Sequence, residues 1–272
     1  MTCLTDLHTH STASDGQYTP AELVRLAKER GLDVLALTDH DTVDGLEEAV
    51  QAGERAGIRV VRGIELSARE YPTFHILGYG FDPEAPALSA LCRELKEGRD
   101  RRAPRIIAFL EEQGVHIPLS EVEELAGGQI VGRPHFAQVL VRHGYVSSNR
   151  EAFDRYLDTE EFLRRVERPK PPAQVCVETI QAAGGKVSLA HPYQIGVDNE
   201  KLEAIVRELA GWGLDAIECF YPQHTLEQRD FYLSLVKKYG LHVTGGSDFH
   251  GEKVKPDIGL ATLEVETDWL LS

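Results

Sequence analysis

Short apolar runs alternate with amphipathic helical patterns in two separate parts of the chain. Residues 4–7, 34–37, 59–64 and 75–79 read as strands in the first part, and residues 187–190, 215–219, 242–244 and 260–265 in the second. Helices fill most of the gaps. Thr19-Pro20-Ala21-Glu22 supplies a cap residue followed by Pro at the first helical position. Leu23, Leu26 and Ala27 then share one face, and Gly31 stops the helix. Further helices are expected over 45–56, 172–183, 200–209 and 226–239, the first two closed by Gly57 and Gly184-Gly185. Such alternation implies an α/β fold with a parallel sheet. Polar residues recur just beyond the strands, where a (β/α) barrel gathers its functional side chains. They follow nearly every strand rather than one switch point, which favours a closed or nearly closed barrel over an open doubly wound sheet.

The alternation fails over residues 84–168. That stretch is helical and charged, with patterns near 88–113, 119–126, 134–143 and 150–157, and Pro169-Lys170-Pro171-Pro172 marks its exit. The expected organisation is a barrel from residues 1–83 and 169–272 with a helical insertion, residues 84–168, as a substrate cap. At 272 residues and 42% hydrophobic, the chain can bury a substantial core. A formal net charge of −15 disfavours duplex DNA as a partner. No apolar stretch approaches the ~18 residues of a membrane helix, and the start of the chain lacks the pattern of a signal peptide. The four cysteines, Cys3, Cys92, Cys176 and Cys219, are scattered and form no C-x-x-C pair. They read as thiols of a reducing compartment, so the expected location is cytoplasmic.

His8-Thr9-His10 carries the first chemical signal. Alternate residues of a strand point the same way, so both imidazoles emerge together beyond residues 4–7. Asp15 lies within loop reach. His40 follows the second strand, Glu65 the third, His191 the fifth, and His75 opens the fourth. Asp248-Phe249-His250 repeats the alternate-residue geometry of the first pair. Each of the nine, taken singly, is compatible with an ordinary buried polar residue. Gathered at one barrel mouth without metal they would leave unpaired polar groups, each costing ~1–3 kcal/mol. Imidazoles and carboxylates in this mixture suit divalent Mn, Fe or Zn.

The segments His8-Thr9-His10, Thr38-Asp39-His40, Ala190-His191-Pro192 and Ser247-Asp248-Phe249-His250, with Glu65 after Gly63-Ile64, resemble the motifs of the PHP (polymerase and histidinol phosphatase) family. The resemblance covers the whole chain and implies a distorted (β/α)7 barrel holding two or three divalent ions. It assigns His8, His10, Glu65 and Asp248 to one ion. Glu65, His75 and His191 would serve a second, and Asp15, His40 and His250 a third. Three such ions against three carboxylates leave the mouth at about +3, an anion trap on an acidic protein. The resemblance also implies hydrolysis of a phosphate monoester by metal-activated hydroxide, with Glu65 and Asp248 holding the reacting centre. No nucleophilic Ser motif or phosphate-cradling Gly-rich loop is present. His224, in the loop after residues 215–219, is a candidate general acid alongside metal-bound water.

The insertion and Arg133-Pro134-His135-Phe136 bring the chain nearest to the nucleoside 3′,5′-bisphosphate phosphatases of that family, some relatives of which trim short RNA from its 5′ end. The expected partners are thus a small phosphorylated nucleotide or a short RNA 5′ end. Arg133 and His135, flanking a Pro that opens a helix, are candidates for a second phosphate. The basic run Arg99, Arg101, Arg102, Arg105 offers Arg99 and Arg102 as further contacts, since a guanidinium binds phosphate bidentately. Tyr193 stands where many relatives carry a small or basic residue, and either stacks on a base or simply fills space. The alternatives are a histidinol-phosphate phosphatase using the same metals, or an amidohydrolase-type metal hydrolase. The latter is disfavoured by Thr38-Asp39-His40 and Asp248-x-His250.

Overall fold

The structure, a computed structural model, describes residues 3–127, 131–166 and 170–270. Its strands are β1 (Cys3–Thr9), β2 (Val34–Leu37), β3 (Arg59–Ser67), β4 (His75–Tyr79), β5 (Lys186–Leu189), β6 (Ala216–Phe220), β7 (His242–Gly245) and β8 (Leu263–Val265). They form one sheet in the order β7-β6-β5-β4-β3-β2-β1-β8. The α/β class and the nearly closed barrel agree with expectation. A wholly parallel sheet does not: β4 runs antiparallel to β3 and β5, and β8 antiparallel to β1. Between β3 and β4 the chain has only a short loop, too short for the crossover that parallel neighbours need. Reversal of β4 is what brings its first residue, His75, to the same end as the last residues of its neighbours.

Although β7 and β8 are the sheet's edges, the chain just past β7 returns to β1. The Asp248 N–H donates to the His8 carbonyl at 2.8 Å, and the His10 N–H to the Phe249 carbonyl at 2.9 Å. Thr9 and Phe249 form a parallel bridge. This approach depends on Gly246, where a β-carbon would lie 2.3 Å from the His8 Cβ and 2.6 Å from its backbone nitrogen. The barrel mouth is therefore closed, and His8, His10, Asp248 and His250 share one rim.

The helices are α1 (Pro20–Glu29), α2 (Leu46–Ala56), α3 (Pro86–Glu112), α4 (Leu119–Ala126), α5 (Arg133–Arg142), α6 (Asn149–Ala152), α7 (Glu160–Arg165), α8 (Ala173–Ala182), α9 (Asn199–Trp212) and α10 (Leu226–Tyr239). Thr19 and Glu22 cap α1 reciprocally, at 3.2 and 3.0 Å. Leu23, Leu209, Ile180 and Leu235 bury their helices against strand residues such as Leu35, Ile64 and Ile76. A second apolar cluster, built around Phe109, Phe136, Leu140 and Phe162, draws only on residues 103–166. Helix α3 serves both: Leu88, Leu91 and Leu95 pack on the barrel, Ile106, Phe109 and Leu110 in the second cluster. The helix expected over 150–157 is instead short α6 running into a π-helical turn, Phe153–Leu157, and α7 was not foreseen. The exit boundary expected between residues 168 and 169 lies outside the described residues.

Candidate metal centre

Glu65, near the end of β3, is fully buried and stands among five imidazoles. Its Oε1 lies 2.8 Å from His75 Nδ1 and 2.9 Å from His191 Nε2. Its Oε2 lies 2.8 Å from His40 Nδ1, 3.3 Å from His10 Nε2 and 3.4 Å from His8 Nε2. Asp248 Oδ1 is 3.2 Å from His10 Nε2 and 3.7 Å from His8 Nε2. On the outer side, His250 Nε2 is 3.3 Å from Asp15 Oδ1, and the rings of His10 and His250 stack at 4.0 Å. Three groups of donor atoms converge within 4.8 Å: His8, His10, Glu65 and Asp248; His10, Asp15, His40 and His250; and His40, Glu65 and His75. The first group is the set expected for one ion. The third expected set is joined by His10. His40 straddles two groups rather than belonging to one, because its Nδ1 also reaches Glu65. His191 belongs to none of the three groups, although its Nε2 lies 2.9 Å from Glu65 Oε1 and 3.4 Å from His75 Nδ1; His40 takes its place beside Glu65 and His75.

The fit to divalent metal can be tested on these atoms. His8 Nε2, both ring nitrogens of His10, His40 Nδ1, His191 Nδ1 and Glu65 Oε2 are buried without a hydrogen-bond partner. Several approach one another closely but without hydrogen-bond alignment, as lone pairs do around a shared cation. Left unpaired, each would cost ~1–3 kcal/mol, so the donor set fits cations and little else. Electrostatics agree. Against burial, which would push the carboxyl up, His40, His75 and His8 hold Glu65 well below the usual carboxylate range. Against the same effect, Lys255, His250 and His8 hold Asp248 down, and His40 and His250 hold Asp15 down. Burial pushes the His75 imidazole down to about 3, and burial with His10 and Lys255 pushes His250 down to about 4, leaving both neutral with lone pairs to donate.

Carboxylates one layer back orient these donors. Glu218, pointing inward from β6, accepts from His8 Nδ1 at 3.0 Å and from the His191 N–H at 2.7 Å. The proton then sits on Nδ1 of His8, and Nε2 keeps its lone pair for the centre. Asp6 accepts from Ser247 Oγ at 2.5 Å and from the Ser247 and Ala261 N–H groups at 2.9 Å, tying β1 to the segment beyond β7. Asp39 takes the Ser11 N–H at 2.8 Å and the Ser11 and Ser14 hydroxyls at 2.6 Å, fixing the loop that carries Asp15. Asp41, His191 and Asp248 hold left-handed backbone at φ of 57°, 22° and 57°, strain of the kind that collects where side chains must be aimed. Neither Glu218 nor Asp6 was singled out from sequence. A charged residue inside the buried run Ala216–Phe220 was the signal that could have found Glu218.

Above the donors lies a cavity of about 420 Å³, walled by Asp15, His40, His75 and His250 on the barrel side. Arg69, Lys170 and Lys255 reach it from loops, Arg99 and Arg102 from α3, Arg133 from α5 and Arg164 from α7. Arg99 donates to Asp41 Oδ2 at 2.5 Å, Arg102 to the Val166 carbonyl at 2.7 Å, and Arg133 to Asp158 Oδ1 at 2.5 Å. Three expected contacts do not line this cavity. His135 is buried, accepts the Gly132 N–H at 2.9 Å and serves as a cap of α5. Tyr193 gives its hydroxyl to Gln223 and packs edge-on against His224 at 5.3 Å. His224 donates from Nδ1 to the Cys219 carbonyl at 3.1 Å, which turns its ring behind Tyr221 into a separate cavity of about 180 Å³. That position removes the structural basis for His224 as general acid. Lys255 and Tyr221, both on Asp248 Oδ2, were not foreseen.

A barrel mouth of this construction defines a metal-dependent phosphoesterase. The PHP domain profile matches residues 6–159. Over 92% of its length the chain is 38% identical to the 5′-3′ exoribonuclease of Haemophilus influenzae, covering 91% of that protein. It is 35% identical to the 3′,5′-nucleoside bisphosphate phosphatase of Chromobacterium violaceum, covering 90% of this chain and 86% of the other. The fold superposes with a TM-score of 0.86 on a Bifidobacterium adolescentis protein described as a candidate metal-dependent phosphoesterase. That match has 31% identity and covers 97% and 93% of the two chains. The chain belongs to the PHP domain family, and its class is that of the metal-dependent phosphoric monoester hydrolases. Among the described residues no helix is long and apolar enough to cross a membrane.

Proposed function

We propose that this enzyme hydrolyses a phosphate monoester of a small nucleotide carrying two phosphates, such as a nucleoside 3′,5′-bisphosphate, and that a short 5′-phosphorylated RNA can enter the same site. The observation that carries the reading is the cavity: cations from both barrel and insertion surround about 420 Å³ above the donor cluster, on a chain of net charge −15. A second, separated phosphate has counter-charges there that a small amino-alcohol phosphate would not use. The relatives named for bisphosphates and for RNA point the same way.

In this reading two or three divalent ions, Mn, Fe or Zn, are held by His8, His10, Asp15, His40, Glu65, His75, His191, Asp248 and His250. When bound, such ions supply Lewis acidity toward water and phosphoryl oxygens. The chain's own residues do the rest. Glu65 turns one oxygen toward His75 and His191 and the other toward His8 and His10, and so spans two donor groups. Glu218 holds His8 in the tautomer that donates from Nε2. Arg99 and Arg102 sit toward the shared wall of barrel and insertion, and Arg133 at the start of α5 meets the second phosphate. The insertion acts as a cap that keeps this charge over the mouth, where water is partly excluded and electrostatic contacts are stronger. The test is a screen of Mn-reconstituted protein against adenosine 3′,5′-bisphosphate, histidinol phosphate and a short 5′-phosphorylated RNA. A clear preference for histidinol phosphate would overturn the reading.

A further inference from the structure

Asp248 turns its two oxygens in different directions. Oδ1 faces the donor cluster, 3.2 Å from His10 Nε2 and 3.3 Å from His250 Nδ1. Oδ2 accepts from the Tyr221 hydroxyl at 3.0 Å and from Lys255 Nζ at 2.7 Å. Lys255 lines the large cavity beside Asp15, His40 and His250, and its side chain is 36% exposed there. Its loop is tied down. The Lys255 N–H donates to the Gly251 carbonyl at 2.9 Å, the Ile258 N–H to the Lys255 carbonyl at 3.1 Å, and the Lys253 N–H to Gln17 Oε1 at 2.8 Å.

A cation in this place needs a reason. An ammonium beside donors that must accept divalent cations opposes their binding, since like charges at such distances repel. An anionic ligand seated on the centre reverses the sign of that interaction. An ammonium has three donors in a compact group. One is spent on Asp248, which leaves two for the cavity. Arg99 is committed to Asp41 and Arg133 to Asp158. We infer that Lys255 contacts the reacting phosphate, donating to a non-bridging oxygen while Asp248 holds the ammonium in place. The inference rests on the phosphoesterase reading above. It makes Lys255 a substrate-binding residue rather than a support for Asp248.

The test uses Mn-reconstituted wild type, Lys255→Met and Lys255→Arg. Three quantities are measured: Mn equivalents per chain, the dissociation constant of inorganic phosphate by calorimetry, and kcat/KM on a simple aryl phosphate. Lys255→Met should keep its Mn equivalents, bind phosphate roughly 30-fold more weakly and lose kcat/KM to a similar degree. Lys255→Arg should recover part of both. The inference falls if Lys255→Met binds phosphate as tightly as wild type. It also falls if Mn equivalents drop in step with activity and added Mn²⁺ restores the rate, since Lys255 then only supports Asp248. If wild type itself neither binds phosphate nor cleaves the aryl ester, the phosphoesterase reading fails, a result distinct from either of these.

Discussion

Glu218→Gln is the sharpest perturbation of the centre that leaves every proposed ligand in place. Glu218 is fully buried and accepts two hydrogen bonds, from His8 Nδ1 at 3.0 Å and from the His191 N–H at 2.7 Å. A glutamine of the same shape cannot serve both. If its carbonyl faces His8, its NH₂ meets the His191 N–H, donor against donor. If it flips, its NH₂ faces His8 Nδ1 and forces the other tautomer, which puts a proton on Nε2, the atom that must donate to the centre. In the first case a buried donor is lost, at ~1–3 kcal/mol; in the second both hydrogen bonds survive but the His8 lone pair at Nε2 does not. Loss of such an orienting partner typically weakens metal binding 10- to 100-fold, or roughly 1.4–2.7 kcal/mol. The assay is Mn²⁺ titration of metal-stripped protein, with circular dichroism to check the fold. A folded variant with wild-type Mn affinity would refute the argument that Glu218 sets the His8 tautomer.

Glu65→Gln should leave the fold intact and abolish turnover of any phosphoester, because the spanning carboxylate loses one anionic oxygen; retention of most activity would contradict its role. Arg133→Ala should lower kcat/KM on adenosine 3′,5′-bisphosphate by roughly 30-fold or more, with much less change on an aryl phosphate; equal losses would move Arg133 to the reacting phosphate. His224→Ala should retain near wild-type kcat/KM, since its ring lines the separate small cavity and not the large one; a large loss at unchanged metal content would return it to the mechanism. Metal-free protein should lose thermal stability as pH rises. Burial alone would lower His10, yet Asp248 and Glu65 raise it to about 9 from 6.5. Its pairing therefore stabilises fully below about 6.5 and fades as pH climbs through about 9. Metal loading at pH 7 should correspondingly release protons from His8 and His10. Indicator-dye titration and melting curves at several pH values check both, and a flat Tm with no proton release would contradict the assignment.

The fold was legible where periodicity and punctuation agreed. Val34–Leu37 and His75–Tyr79 stand as read, and Thr19, Gly31 and Gly57 bound their helices because a cap or left-handed glycine is a local signal. Strand direction was not local. Nothing in residues 75–79 records that β4 pairs backward; the clue was the missing helix between it and β3, a loop too short for a crossover. The π-helical turn at Phe153–Leu157 escaped for a related reason. Its residues keep a helical pattern of apolar positions, and the wider turn appears only in the backbone bonding, where the Asp158 N–H donates to the Phe153 carbonyl five residues back at 3.0 Å.

The site divides along the same line. Candidate ligands announced themselves because strand alternation and strand ends are sequence properties: His8 and His10 must point together, and so must Asp248 and His250. The residues that aim them were hidden, since Glu218 lies 210 positions from His8 and meets it only through barrel closure. Arg99, Arg102 and Arg133 were named in advance, but the other four cavity cations were hidden too. Arg69, Arg164, Lys170 and Lys255 are ordinary loop or helix-face charges in sequence and converge only in the folded chain. His224 failed in the opposite sense. Its place after a strand matched the pattern of the true cluster, but a bond to the Cys219 carbonyl, one position past the inward-facing Glu218, turns the imidazole to the far side of Tyr221. Position after a strand nominates a residue; which way its backbone leaves that strand decides whether it arrives. At Asp248 the left-handed turn sends the carboxylate inward, and at His224 the polar anchor sends the ring out.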